Sequence, residues 1–460
     1  MKTTAVIAEF NPFHNGHKYL LDECRIRTQA DAVLVLLSGD YVERGAPAVA
    51  DGYFRAGTAL LQGADLVLFL PSRFVLRSAE GYAFAAVSLL DSLGCVDSLV
   101  FGSECGEISR LQECAVSLSE ETDLRKEILR KKLREGLSFP KARALAYPEY
   151  ASLLDSPNNI LGIEYLKALH SMRSEIEPCT VKRIGPGHND TTPGKEYASA
   201  SAIRNLLADR SDERQGSGLS PVPHRVWAED PFPVSQCASS EELLPAPHRA
   251  SSEGLLPMPH RAGSEELLPI PHCLSSEGLL PMPEMCRKAL LAYCEEHRLV
   301  TSDDFSQLLG IRLMELGSWE DLLLYPDIDR DLAGSIFSNR FAYTGFTAYA
   351  DLIKSKAYTM TRIHRALLRI ALGLPADGAA RPLFARAAGF TAQGARLLAE
   401  IKKRSTIPIL TKNSESEILS GEARGLYDEE IRLANIYRLI REGKSGKAPQ
   451  NVLKTGLIRV

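Results

Sequence analysis

Four continuous apolar runs near the start of the chain limit its fold more than any other feature. "TTAVIAEF" (3–10), "DAVLVLLSG" (31–39), "ADLVLFLP" (64–71) and "DSLVFGSE" (97–104) are rich in Val, Ile and Leu and do not alternate with polar residues. A strand with one face in water alternates; a strand buried on both faces has no reason to. Between the runs lie stretches with helical spacing, namely "HKYLLDECRIRT", residues 49–63 and residues 80–94. This rhythm predicts an α/β fold: a doubly wound, Rossmann-like parallel sheet with helices on both faces. Such sheets bind ligands beyond the carboxyl ends of their strands. A site is therefore expected in segments 9–17, 38–45, 71–78 and 101–106.

The rhythm runs to about residue 210, so residues 1–210 are read as the first domain. It then breaks. "SSEELLPAPHRA", "SSEGLLPMPHRA", "GSEELLPIPHC" and "SSEGLLPMPE" begin at 239, 251, 263 and 275, a twelve-residue period. A Pro-x-Pro in each unit forbids a continuous helix, and a doubled Leu offers little to bury. Residues 211–284 are expected to be a duplicated, largely disordered insertion without a catalytic part. From 285 to 460 the apolar residues recur at helical spacing, as in "CRKALLAYCEEHRLV", "TRIHRALLRIALGL" and "AQGARLLAEIKKRS". This part is read as a mostly helical second domain.

Charge points to a polyanionic partner only locally. The net charge is −4, yet residues 351–412 hold twelve Lys or Arg against Asp351, Asp377 and Glu400, an excess of +9. Lys354, Lys356, Arg362, Arg365 and Arg369 fall at spacings that can share one helical side, which suits either a set of solvated helix faces or a phosphate-backbone surface. The nine cysteines form no C-x-x-C pair, which argues against a disulfide framework or a structural zinc site and suits a reducing compartment. The start, "MKTTAVIAEF", has no sustained apolar segment, and no run approaches the ~20 residues of a membrane helix. A soluble, cytoplasmic protein without a membrane partner is expected.

"AEFNPFHNGHKYLL" (8–21) carries the chemistry. A zinc pair would need a third ligand, and none stands nearby. A hairpin around Asn15-Gly16 would need alternating flanks, which are missing. A phosphate loop accounts for more of the residues. The first strand delivers the chain to a turn at Pro12, and Gly16 lets backbone and ligand approach closely. His17 and Lys18 open a helix whose N-terminal N–H groups favour phosphate. Two imidazoles, His14 and His17, can then donate to charge developing on a phosphate in transfer. Asp40 in "SGDYVERG" follows the second strand and is a further catalytic candidate, able either to orient a substrate or a metal or merely to make an Asx turn.

"FNPFHNGH" is similar to the H-x-G-H signature of the nucleotidyltransferase superfamily, and "SASAIRNLL" (199–207) resembles its later serine-rich motif through Ser199, Ser201 and Arg204. Ala200 departs from the serine often found there. "EFNPFHNGH", "LSGDYVERGAPA", "FGSE", "SPNNILGIEYLKAL", "VKRIG", "YTMTRIHRALL" and "IKKRSTIPILTK" together resemble the bacterial tRNA(Met) cytidine acetate ligase family, over nearly all the chain except 211–284. The resemblance implies that acetate is activated with ATP as acetyl-adenylate. It implies that the acetyl group then passes to N4 of the wobble cytidine of elongator tRNA(Met), releasing AMP and pyrophosphate. Carried over by motif, the implied ATP site is Ile7, Ala8, Glu9, Phe10, Asn11, Pro12, Phe13, His14, Asn15, Gly16, His17, Lys18, Tyr19 and Leu20. Gly102, Asn159, Arg183, Ser201 and Arg204 complete it. Either Asn158 or Asn159 could supply the amide, and Asn159 is preferred. Glu9 and Glu104 are either magnesium ligands beside ATP or helix caps, and no metal ligand is assigned. The basic helices of 351–412 would grip the anticodon arm.

Two other functions share parts of this pattern. A small-molecule nucleotidyltransferase would use the same loop without RNA, but the helical, basic C-terminal part weighs against it. A non-enzymatic nucleotide sensor or RNA-binding protein would not need His14, Gly16, His17, Ser201 and Arg204 together.

Overall fold

A computed structural model describes residues 1–184, 197–212, 280–376 and 378–460. The twelve-residue repeats and Asp377 lie outside the described residues, apart from the last few positions of the final repeat.

The four apolar runs form adjacent strands. We number the strands of the main sheet β1 (Thr3–Ala8), β2 (Ala32–Ser38), β3 (Leu66–Leu70), β4 (Ser98–Ser103), β5 (Glu177–Lys182), β6 (Ala385–Phe390), β7 (Ile409–Leu410) and β8 (Ile458–Arg459). Their order is β8-β6-β3-β2-β1-β4-β5, with β7 also pairing β6. Strands β3, β2, β1, β4 and β5 run parallel to one another. Each side of this sheet is covered. Ala5, Ile7, Leu34, Leu36, Leu66 and Leu68 pack under the helices Ala79–Ser92 and Pro157–Met172. The alternate residues Val6, Val33, Val35, Leu37 and Val67 pack under Asn15–Thr28 and Gly52–Leu61. Burial on both faces is the reason the runs are unbroken.

The C-terminal part does more than the helical reading predicts. Strand β6 lies antiparallel to β3, and β7 and β8 extend the sheet beyond it. Three strands from residues 285–460 thus belong to the sheet of the first domain. The remaining helices, among them Ser306–Met314, Arg330–Asn339 and Met360–Leu372, build a second core around Leu309, Leu332, Ile336, Phe346 and Leu367. Tyr41 from the first domain is buried in that core, and its hydroxyl donates to the Leu433 carbonyl at 3.0 Å. Tyr437 reaches back the other way, donating to the Ala48 carbonyl at 2.8 Å. No helix among the described residues is long and apolar enough to cross a membrane.

Candidate active site

Beyond the carboxyl ends of β1 and β4 lies a cavity of about 1630 Å³. That exceeds the ~300–1,000 Å³ of a typical small-ligand site, leaving room for a second reactant beside a nucleotide. The H-x-G-H loop forms one wall. Phe10 takes a left-handed backbone conformation (φ 46°), and the Asn11-Pro12 peptide is cis. The chain turns there and enters the Asn15–Thr28 helix at His14, its N-cap.

The two histidines cap this helix reciprocally. His14 Nδ1 accepts the Gly16 N–H at 3.1 Å, and His17 Nδ1 accepts the His14 N–H at 3.2 Å. Their rings stack with centroids 3.6 Å apart. A Cβ on Gly16 would stand 3.0 Å from the His14 ring, so this glycine makes room for His14 itself. Because each Nδ1 accepts, each neutral imidazole carries its proton on Nε2, which can donate. Burial pulls the His17 pKa well below its usual value, helped by His14 and Arg183. His17 is thus a neutral donor at neutral pH. The capping bonds use Nδ1 of each ring and not Nε2.

Positive charge gathers opposite. Arg183 lines the cavity beside Gly102, whose missing side chain leaves Arg183 Cγ in ordinary contact distance of a hypothetical Cβ, 3.6 Å. Arg204 donates to the Asn11 carbonyl at 2.7 Å and to Ser201 Oγ at 2.9 Å, tying the loop to the Ala200–Asp212 helix. Ser199 accepts the Ala202 N–H at 3.0 Å and caps that helix. Burial and then Arg44 push Arg204 down to about 10. Burial also lowers Arg183, with Arg44 again opposing its charge. Guanidiniums that repel one another in one cavity are stabilised by a polyanion.

Most of the expected residues meet here: Ile7, Ala8, Glu9, Phe10, Asn11, His14, Gly16, His17, Tyr19, Leu20, Gly102, Arg183, Ser201 and Arg204 all line the cavity. Several do not. Phe13 packs edge-on to Phe10 in the core, and Pro12 and Asn15 lie outside the lining, the Asn15 N–H donating to the Pro281 carbonyl at 3.1 Å. Lys18 turns outward to pair with Asp22. Asp40 lies outside the lining; its Oδ1 accepts the Gly52 N–H at 2.8 Å, and burial raises its pKa. The two asparagines stand differently toward the cavity, and the preferred Asn159 is outside its lining. Asn159 is 2% exposed and its Oδ1 accepts the N–H groups of Glu104 (2.9 Å) and Cys105 (3.2 Å), whereas Asn158 lines the cavity. Glu104 in turn accepts from both asparagines, which is a capping role.

The basic helix face was misplaced. Arg369 is 1% exposed and Arg365 6%. Arg369 donates to the carbonyls of Arg73, Leu76, Leu374 and Pro375, while Arg365 pairs with Asp327 and Glu43. Arg362 reaches Asp329. Spacings of three and four place Arg362, Arg365 and Arg369 on one side of the Met360–Leu372 helix, but Arg365 and Arg369 face the protein interior. Lys354 and Lys356 remain exposed. Sequence reading also missed Glu43, Arg44 and Asp327 as cavity residues, although "LSGDYVERGAPA" contains the first two.

Comparison with known proteins settles the relationship. The HIGH Nucleotidyl Transferase family profile matches residues 1–243 and 275–451. A tRNA(Met) cytidine acetate ligase of Clostridium kluyveri is 32% identical over 429 residues, 90% of each chain. The chain belongs to the tRNA(Met) cytidine acetate ligase family. Among solved structures it is similar to Thermotoga maritima TmcAL, both apo (form I; 26% identity, TM-score 0.79) and bound with alpha-thio ATP (form II; 25%, TM-score 0.76), each covering all of both chains. The family profile passes over residues 244–274, within the repeats. Removing 244–274 from this ligase is therefore expected to leave its activity unchanged when acetylation of tRNA is measured. A folded but inactive deletion would give the repeats a part in the site.

Proposed function

We propose that this ligase activates acetate with ATP and transfers the acetyl group to N4 of the wobble cytidine of elongator tRNA(Met), releasing AMP and pyrophosphate. The observation that carries the reading is one cavity holding the capped histidine pair together with Arg183 and Arg204, in a chain related over its length to tRNA(Met) cytidine acetate ligases.

Acetate attack on the α-phosphate brings two anions together, so the first demand is charge neutralisation with fixed geometry. His14 and His17 supply Nε2–H donors that the capping bonds hold in place. Arg183 and Arg204 supply charge, and Gly102 and Asn158 flank the remaining wall. Among the described residues no group of three or more His, Cys, Asp or Glu side chains is arranged to hold a metal ion. The tRNA approaches where Ala357, Thr359, Thr361 and Arg362 line the cavity, next to exposed Lys354 and Lys356. An anticodon loop presents its bases largely unstacked, so the amine can reach inside.

The first half-reaction is tested without RNA. Acetate-dependent exchange of labelled pyrophosphate into ATP is expected, and exchange that ignores acetate would contradict the reading.

A further inference from the structure

The hairpin Tyr41–Val42/Ala46–Pro47 presents a side chain that the adenylation chemistry does not use. Gly45, at its turn, has φ +77°, and a Cβ there would lie 2.2 Å from the Arg365 backbone nitrogen. Only glycine allows this approach, which seats the hairpin on the Met360–Leu372 helix. Glu43 is thereby fixed in the cavity wall between the nucleotide half and the C-terminal helices. Its backbone N–H donates to Glu9 Oε1 at 2.7 Å. Its Oε1 accepts from Arg365 Nη1 at 3.2 Å, while Arg365 Nε donates to Asp327 at 2.8 Å. Among the described residues, Glu43 Oε2 and Arg365 Nη2 have no hydrogen-bond partner.

A carboxylate acceptor beside a guanidinium donor suits a base edge that sets a donor next to an acceptor, as cytosine's does and uracil's O4 does not. Cytosine offers an N4–H donor next to the N3 and O2 acceptors, and carboxylates accept from that amine. Uracil would turn its O4 lone pairs toward the carboxylate. We propose that Glu43 and Arg365 form the cytidine subsite, with the Glu43 carboxylate as the base that removes the N4 proton during acetyl transfer. This rests on the acetate-ligase reading. N4 attacks the acetyl carbonyl carbon and a C–N bond forms. The bond between that carbon and the adenylate oxygen breaks, and AMP leaves with the electron pair. The proton lost from N4 passes to Glu43 and then to solvent.

The surroundings suit a base at neutral pH. Burial raises Glu43 to about 7, with Glu9 and Asp327 adding to the rise and Arg365 and Arg44 opposing it. The active form is the ionised one, so transfer rises with pH through about 7 and levels above it.

The test uses the full-length protein with ATP, acetate and tRNA, and measures acetate-dependent pyrophosphate exchange and single-turnover transfer separately. Glu43→Gln is expected to lower transfer relative to exchange by roughly 10²–10³ and to flatten its pH dependence. Glu43→Asp should keep part of the rate and the pH dependence. Equal losses in both half-reactions would mark a structural role and overturn the proposal, as would full transfer in Glu43→Gln. Failure of the unaltered protein to show acetate-dependent exchange would instead overturn the acetate reading, and this inference with it.

Discussion

Replacing His17 by alanine should lower acetate-dependent pyrophosphate exchange by about 10²–10³, the usual loss when one fixed donor is removed from developing charge. In the proposed reaction the imidazole does two jobs, and they can be separated. Its Nδ1 accepts the His14 N–H, so alanine also removes part of a helix cap. Such a loss is about 0.5–2 kcal/mol of stability, too little to unfold a helix that is packed along β1 and β2. His17→Asn retains an acceptor for the cap but not a donor at the reach of Nε2. It should recover stability without recovering rate. Because His17 is held neutral, its loss should slow exchange equally across neutral pH. Near-normal exchange in His17→Ala would remove the histidine pair from the chemistry.

Arg369→Glu should damage folding, not RNA binding. The guanidinium is buried against four backbone carbonyls, and burial with Arg73 and Arg77 already lowers it to about 10. A carboxylate there would face those carbonyls without a donor. The expected loss is about 3–5 kcal/mol, seen as a large drop in melting temperature. Lys354→Glu on the exposed side should leave stability within about 0.5 kcal/mol. It should weaken tRNA binding and reduce the salt dependence by roughly one unit of log–log slope for each phosphate no longer neutralised. A stable Arg369→Glu protein with weakened tRNA affinity would reverse this assignment.

The parallel half of the sheet was readable because β1 to β4 are buried on both faces and their sequences have no polar alternation. Strand β6 was not. "ARAAGF" is poor in β-branched residues, yet its small side chains let neighbouring groups close in. A Cβ on Gly389 would meet Ile458 and Leu60 at 2.7 and 2.9 Å. Here tertiary packing overrode local preference. The histidine loop was legible because strand, turn and helix start converge on one short motif. Glu43 was not, since its role depends on Arg365, more than three hundred positions away. The basic helix misled for a related reason. Periodicity gives the side of a helix on which residues lie, and the partners on that side, Asp327 and Glu43, come from elsewhere in the chain.

One measurement tests the central claim directly. The protein is incubated with ATP, labelled acetate and tRNA, and the RNA is digested to nucleosides. The expected result is label in N4-acetylcytidine, confined to elongator tRNA(Met) and dependent on ATP, with AMP and pyrophosphate formed in step. Label that stays on a small molecule when tRNA is present, or that enters RNA without ATP, would contradict it.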